Sequence, residues 1–289
     1  FSVLAFATAR TAPALERIYK DEKGRTRVIS LPVDEKLKNP WPEEWEEAFW
    51  DRANHAIQAF APQGPRGNTY GENEKNYYAT AMFAFLAGNR AVALKALQEP
   101  DNQQKDHAHT LGVDFYWCFT LKHQMRKYFF FGKYLDPAYR KRMFDGAKIW
   151  TEQEPLRRPH PVYGTGGKGG VWGPDNKGSW VDVRGTDNLR AMRDTSVYLM
   201  AEETGNEATR QLYKTKLKHY VQTLYNVGMS EWDSSNYHGH TLCPYHNLYD
   251  FAKDAEVKAL AKAALDWLYA AGAFKFWRGG FGGPVCREY

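Results

Sequence analysis

The stretch AKDAEVKALAKAALDWL, residues 252–268, carries the local pattern that decides the fold. Asp254 follows a short turn and is well placed to cap a helix that begins after it. Beyond it, apolar residues recur at three- and four-residue spacing, with charged residues between them. The apolar positions are Val257, Leu260, Ala261, Ala264, Leu265 and Leu268. We therefore predict an amphipathic helix from Asp254 to Phe274, with one face against a core and the other in water.

The same arrangement recurs along the chain: an aromatic-rich apolar helix, a turn of Gly, Asn or Asp, and a more polar helix. The turns are Ala87-Gly88-Asn89-Arg90, Tyr134-Leu135-Asp136-Pro137, Thr204-Gly205-Asn206-Glu207 and Ala252-Lys253-Asp254-Ala255. Successive turns are 47, 70 and 48 residues apart, counted from Asn89 to Asp136, Asn206 and Asp254. The apolar segments, such as 77–87 and 113–131, are apolar nearly all round and are predicted to be inner helices.

Repeated antiparallel helical hairpins of this spacing close into a toroid or stack into a solenoid. We predict an all-α fold, a small or incomplete α/α toroid that forms one domain over residues 1–289. Because the chain begins with Phe1 and stops after a Gly-rich stretch, we also expect it to be shortened at one or both ends.

Composition narrows the class of ligand. The net charge of +5 suits an acidic ligand but is far below the density of a nucleic-acid-binding domain. Aromatic residues make up 15% of the chain, including ten Trp, so some rings are expected to line a groove and to serve as platforms for sugar faces. Three cysteines are too few for a disulfide scaffold, and no apolar run approaches the ~20 residues needed to cross a bilayer.

In a helical repeat, we expect binding and catalytic residues in the loops between an outer helix and the next inner helix, because a rigid scaffold holds these loops in place. The first long one covers residues 155–186 and is rich in glycine, but it lacks the spacing of a phosphate-binding loop, so we exclude a nucleotide site. We predict a flap that carries Trp172 and Trp180 over a cleft. The alternative is a surface excursion without a role.

Three polar residues near the end of this loop suit a substrate carboxylate. Arg184, Asn188 and Arg190 are predicted at the cleft end of an inner helix, where Arg pairs with carboxylates in a bidentate manner and Asn acts as a neutral donor. The alternative is that Arg190 pairs with a nearby acid and Asn188 only helps to cap the helix.

The densest cluster of ionisable groups lies in the second loop, residues 228–240, just before a helix predicted to begin near Thr241. Clusters of ionisable side chains are typical of catalytic and binding sites. The candidates are Glu231, Asp233, Tyr237, His238 and His240.

The segment Glu231-Trp232-Asp233-Ser234-Ser235-Asn236-Tyr237 resembles the Glu-x-x-Ser-x-x-Tyr segment of six-hairpin toroid proteins of the carbohydrate-active kind. Its position is also similar to the Tyr-bearing segment of toroid polysaccharide lyases, including alginate and glucuronan lyases. In those lyases a Tyr serves as base, acid or both, while an Asn, often with His or Arg, neutralises the uronate carboxylate. The resemblance implies a catalytic Tyr237, Asn188 as the neutralising group, and His238 or His240 assisting.

One departure from that pattern matters. Leu189 follows Asn188 where the lyases often have a His, so His107 or His109 is the alternative source of an imidazole. The resemblance also implies an acidic polysaccharide or oligosaccharide as partner, and a secreted or periplasmic protein.

The predicted function is thus cleavage of a uronic-acid polysaccharide by β-elimination. Its main electrostatic requirement is a set of donors aimed at the carboxylate, and a Tyr with an ordinary pKa of about 10 needs cations or donors nearby. Two alternatives remain: a glycoside hydrolase that uses Glu231 and Asp233, and a non-catalytic helical-repeat module that binds a glycan or a protein. No cofactor is predicted. A divalent ion on a His-x-His pair is disfavoured, since neither pair has the spacing of a helical zinc motif.

Overall fold

The computed structural model describes residues 18–28, 42–64, 77–98, 111–113, 115, 118–152, 186–232 and 234–282. This part of the chain is mostly helical, which confirms the all-α prediction. The helices are α1 (Glu43–Phe60), α2 (Tyr77–Leu86), α3 (Arg90–Gln98), α4 (Cys118–Phe129), α5 (Pro137–Glu152), α6 (Asp187–Thr204), α7 (Glu207–Asn226), α8 (Tyr237–Phe251) and α9 (Ala255–Lys275). Short 3-10 turns lie at Ala61–Gln63 and Gly132–Tyr134. Two small antiparallel pairs are β1 (Ile18–Lys20) with β2 (Thr26–Val28), and β3 (Phe276–Trp277) with β4 (Gly280–Phe281).

The predicted turns join α2 to α3, α4 to α5, α6 to α7 and α8 to α9. Gly88 and Gly205 adopt φ values of 108° and 79°, the left-handed region in which glycine ends a helix without steric cost. Asp136 and Asp254 each accept hydrogen bonds from the backbone N–H groups two and three residues further on, as N-caps do. Asn206 makes no side-chain cap hydrogen bond; its amide nitrogen instead donates to the carbonyl of Lys148.

Helices α4 and α8 run side by side in the same direction. Near their starts, Phe119 and His240 meet edge to face with ring centroids 5.1 Å apart. Near their ends, Phe129 stacks on Phe251 at 5.2 Å. Since start contacts start and end contacts end, the two helices are parallel, as expected of two inner helices in successive hairpins.

Helix α6 has the same direction. Leu189 and Met192, in its first two turns, cluster with Phe119 of α4. At the opposite end, the hydroxyl of Tyr128 donates to Glu203 over 3.1 Å. Helices α4, α6 and α8 therefore begin at one end of the bundle, which we call the start end, and each outer helix returns antiparallel to its partner.

The β1–β2 hairpin is fixed to two helices. Arg25 donates to Asp51 of α1 over 2.7 Å, and the backbone N–H of Thr26 donates to the side chain of Asn54, also on α1, over 2.7 Å. The Thr26 hydroxyl donates to the carbonyl of Leu86 at the end of α2. These bonds hold Val28, at the end of the hairpin, against the core.

Two helix boundaries differ from the sequence prediction. Helix α8 begins at Tyr237 rather than near Thr241, so Tyr237 and His240 lie in its first turn. At the start of the predicted helix 113–131, Val113 and Phe115 are buried but not helical, and they follow Leu111 and Gly112, which both have positive φ. Among the residues described, no helix has the length and apolar character needed to span a bilayer.

Candidate functional site

Asp187, the first residue of α6, ties the start of that helix to the segment after α7. One carboxylate oxygen accepts from the backbone N–H of Ser230 at 2.7 Å, from the Ser230 hydroxyl at 2.5 Å and from the N–H of Glu231 at 2.9 Å. The other accepts from the hydroxyl of Tyr220 at 2.7 Å. Burial first, and then the neighbouring Tyr245 and Asp187, raise the pKa of Tyr220 well above 10, so its phenol stays protonated and donates. Asp187 is thus a structural centre, held by charge-assisted bonds.

Asn188 and Glu231, 43 residues apart in sequence, meet at this junction. The Glu231 carboxylate is 1% exposed and accepts the backbone N–H of Asn188 at 2.8 Å. The Asn188 side chain is fully buried, and within the described part of the chain neither its Nδ2 nor its Oδ1 has a hydrogen-bond partner. An amide left in this state costs folding free energy, and such groups call for an explanation such as a ligand.

Tyr237 and His240 lie together at the start end. The N–H of Tyr237 donates to the hydroxyl of Ser234 over 3.1 Å, which helps to fix the first turn of α8. Tyr237 is 4% exposed, and its ring centroid is 6.2 Å from that of His240. His240 in turn contacts Phe119, so the pair sits between the first turns of α8 and α4.

His238 faces a different direction. Its ring lies 5.6 Å from that of Phe281, and a Cβ added to Gly272 would come within 3.2 Å of its Nε2. Both neighbours belong to α9 and the hairpin that follows it, whereas His240 contacts α4. Residues two apart on a helix point about 200° apart, so the structure does not bring the two imidazoles together.

Arg190 lines a cavity of about 540 Å³ between α6 and α7. The same cavity is bordered by Arg193, Asp194 and Lys216, and Arg193 donates to the Asp194 carboxylate over 2.7 Å. Asp187 also reaches this cavity, so it adjoins the junction that holds Asn188. Tyr237 borders neither this cavity nor a smaller one, of about 290 Å³, between α2, α4 and α8.

Sequence reasoning missed two buried lysines on α4, a segment treated as apolar on nearly all faces. Lys122 is 3% exposed and donates to the carbonyl of Phe119 over 2.9 Å, so its ammonium lies near the start end. Lys127 is fully buried, and it donates to the carbonyl of Leu97 and to the hydroxyl of Tyr139. The polar stretch 122–127 within a helix predicted to be an inner one was the signal available, because buried lysines are rare without a specific reason.

Six predicted site residues lie outside the described residues, and the predictions on them stay predictions. They are His107, His109, Trp172, Trp180, Arg184 and Asp233. In the part that is described, no group of three or more His, Cys, Asp or Glu side chains is arranged to hold a metal ion.

The chain matches no family model, and comparison with curated proteins and with solved structures gives no match either. No family is therefore shown for it, and the resemblance to toroid lyases stays a prediction.

Proposed function

We propose that this protein is a polysaccharide lyase that cleaves an acidic, uronic-acid-containing glycan by β-elimination, with its helical hairpins arranged as an α/α toroid. Such a substrate lies outside the cytoplasm, so the proposal includes a secreted or periplasmic location. The observation that carries the proposal is the buried amide of Asn188, which is held in place through its own backbone while its side chain makes no hydrogen bond to the described residues.

A uronate carboxylate is a suitable partner for that amide. In β-elimination the base removes the proton beside the carboxylate, and negative charge builds up on the carboxylate oxygens. A positioned neutral donor stabilises that charge more than it stabilises the ground state, which is the largest single contribution in many enzymes of this kind. The bond from its backbone N–H to Glu231 fixes the backbone that carries this amide.

Positive charge lies near the same place. The N-terminal ends of α4 and α8 carry a partial positive charge from their helix dipoles, whereas that of α6 already holds two carboxylates, its own Asp187 and Glu231, which accepts the N–H of Asn188. The ammonium of Lys122 adds a full charge one turn into α4. Helix N-termini are ready-made binding sites for anionic groups.

Tyr237 is assigned as the general base, and His240 as the group beside it. The phenol oxygen of Tyr237 takes the proton from the carbon next to the carboxylate, a carbon–carbon double bond forms in the sugar ring, and the glycosidic carbon–oxygen bond breaks. The leaving oxygen then takes up the proton that Tyr237 gained, which restores Tyr237, and no water is consumed. Of the two histidines in this stretch, the contacts favour His240 for the assisting role, since its ring is the one near Tyr237.

The geometry gives less support to a hydrolase. A hydrolase of this type needs a carboxylic acid near the glycosidic bond and a second carboxylate that acts on water or on the sugar. The Glu231 carboxylate accepts the backbone N–H of Asn188, a contact that fits an anchor for the start of α6 better than a general acid.

The test is to incubate the full chain with alginate, glucuronan and glycosaminoglycans, and to follow new reducing ends together with the ultraviolet absorbance of an unsaturated uronate. We expect both signals to rise together on at least one polymer. Reducing ends without absorbance would identify a hydrolase instead. If neither reducing ends nor absorbance appear on any polymer of the panel, the proposed activity on uronic-acid polymers is refuted.

The role of Tyr237 is tested on the active polymer with a matched pair of variants on one helix. Tyr237→Phe removes the base and is expected to abolish turnover, whereas Tyr249→Phe, at the other end of α8, keeps it. Circular dichroism checks that both variants fold. If Tyr237→Phe retains near-normal activity, Tyr237 has no part in proton transfer.

A further inference from the structure

A second cavity, unrelated to the proposed reaction, lies between α2, α4 and α8. Its volume is about 290 Å³, near the lower limit of small-molecule pockets. The walls are mostly hydrocarbon and aromatic, contributed by Val28, Met82, Phe83, Leu86 and Phe130, among others. Its size and composition therefore suit a small apolar body.

Three polar side chains also border this cavity, and two of them are accounted for. Arg126 donates to Asp250 over 2.6 Å and lies over the ring of Phe251, so its charge is compensated. Burial raises the pKa of the Cys243 thiol, which keeps it protonated at neutral pH. Neither group calls for an anion or a metal ion.

The third polar side chain is different. The His123 ring is 7% exposed, and its Nδ1 makes no hydrogen bond to any residue that the structure describes. Burial, with a smaller contribution from nearby cations, lowers the pKa of His123 well below 6.5, so the ring is neutral at pH 7. A neutral imidazole offers one donor and one acceptor, and a buried one without a partner is costly.

We propose that this cavity binds a small neutral molecule, with an apolar body and a single hydroxyl or carbonyl group that pairs with the imidazole of His123, which borders the cavity. At the packing density of protein interiors, the cavity accommodates roughly ten non-hydrogen atoms. That size corresponds to a substituted phenol or a medium-chain alcohol. A charged ligand is excluded, because the walls offer no uncompensated charge of their own to meet it.

The experiment uses the full chain and two probes of matched shape, 4-propylphenol and n-butylbenzene, with binding measured by calorimetry and by the shift in melting temperature. We expect 4-propylphenol to bind at least fivefold more tightly than n-butylbenzene. His123→Phe should remove this preference, while His55→Phe on the exposed face of α1 should leave it unchanged. Ala79→Phe, which fills the cavity, should weaken both probes at least tenfold.

A second measurement avoids variants that fail to fold. Cys243 borders the cavity, so saturating 4-propylphenol should slow its alkylation by iodoacetamide several-fold in the unmodified chain, as read by peptide mass spectrometry. If neither 4-propylphenol nor n-butylbenzene binds, the proposal is wrong. Binding that is indifferent to both His123→Phe and Ala79→Phe, or an alkylation rate that the probe does not change, would also overturn it. Activity on uronic-acid polymers plays no part in any of these readouts.

Discussion

Asn188 shows how far single residues could be assigned from sequence. Its position just after a long loop and at the start of an inner helix was enough to make it a candidate for a carboxylate partner. Its contact with Glu231 could not be predicted, because the two residues are 43 positions apart and local patterns carry no information on such pairs. The same holds for Asp187, whose donors lie on α7 and on the segment that follows it.

The state of the Asn188 amide leads to a stability prediction. Asn188→Leu, which has the same branching and the same number of side-chain non-hydrogen atoms, should raise the free energy of unfolding by about 1–2 kcal/mol, since it replaces an unsatisfied buried amide with an apolar group. The backbone bond to Glu231 is kept in the variant. Urea unfolding followed by circular dichroism measures the difference. A variant that is clearly less stable than the original would indicate that the amide is already satisfied in the folded protein.

His123 leads to a prediction on pH. Its pKa is lower in the folded than in the unfolded protein, chiefly through burial, so below about pH 6.5 the unfolded chain binds the extra proton. The free energy of unfolding should therefore fall as the pH drops from about 6.5 towards the lower folded pKa, by up to about 1.4 kcal/mol per pH unit for this one group. His123→Gln should flatten this slope, and His55→Gln should not. If the free energy of unfolding changes with pH equally in all three proteins, the lowered pKa of His123 is contradicted.

At the scale of the elements, turn chemistry was predictable and helix starts were less so. Asp254 and Asp136 cap their helices as predicted, because capping depends on residues two and three positions away. The start of α8 was placed four residues too late. Gly239 and Pro244 make that stretch a poor helix by local preference, and tertiary contacts of its first turn override that preference.

The bonds of Asp187 connect two elements and can be tested as a unit. Asp187→Asn places an amide where Ser230, Glu231 and Tyr220 all donate, and it should lower the free energy of unfolding by about 2–3 kcal/mol. Asp136→Asn is the matched control, because Asn caps a helix about as well as Asp and the change should stay near zero. If both variants lose the same free energy of unfolding, the hydrogen bonds around Asp187 contribute no more to stability than an ordinary helix cap does.

At the scale of the molecule, the helical hairpins and their inner and outer members followed from periodicity and spacing. The common direction of α4, α6 and α8 follows in turn from the hairpins, because two inner helices separated by one outer helix must be parallel. The meeting of their starts beside Asn188, Lys122 and Tyr237 is a property of the assembled bundle. No local pattern indicates it, and it adds structural support to the acidic ligand that net charge predicts.

The most direct test of the central claim is the rate of unsaturated-uronate formation by Asn188→Leu, compared with the original chain on the same polymer. If the buried amide stabilises the charge that develops on the uronate carboxylate, kcat should fall by about 100- to 1000-fold while the variant remains folded and at least as stable. A variant that produces unsaturated uronate as fast as the original chain would contradict the proposed role of Asn188 at the start end.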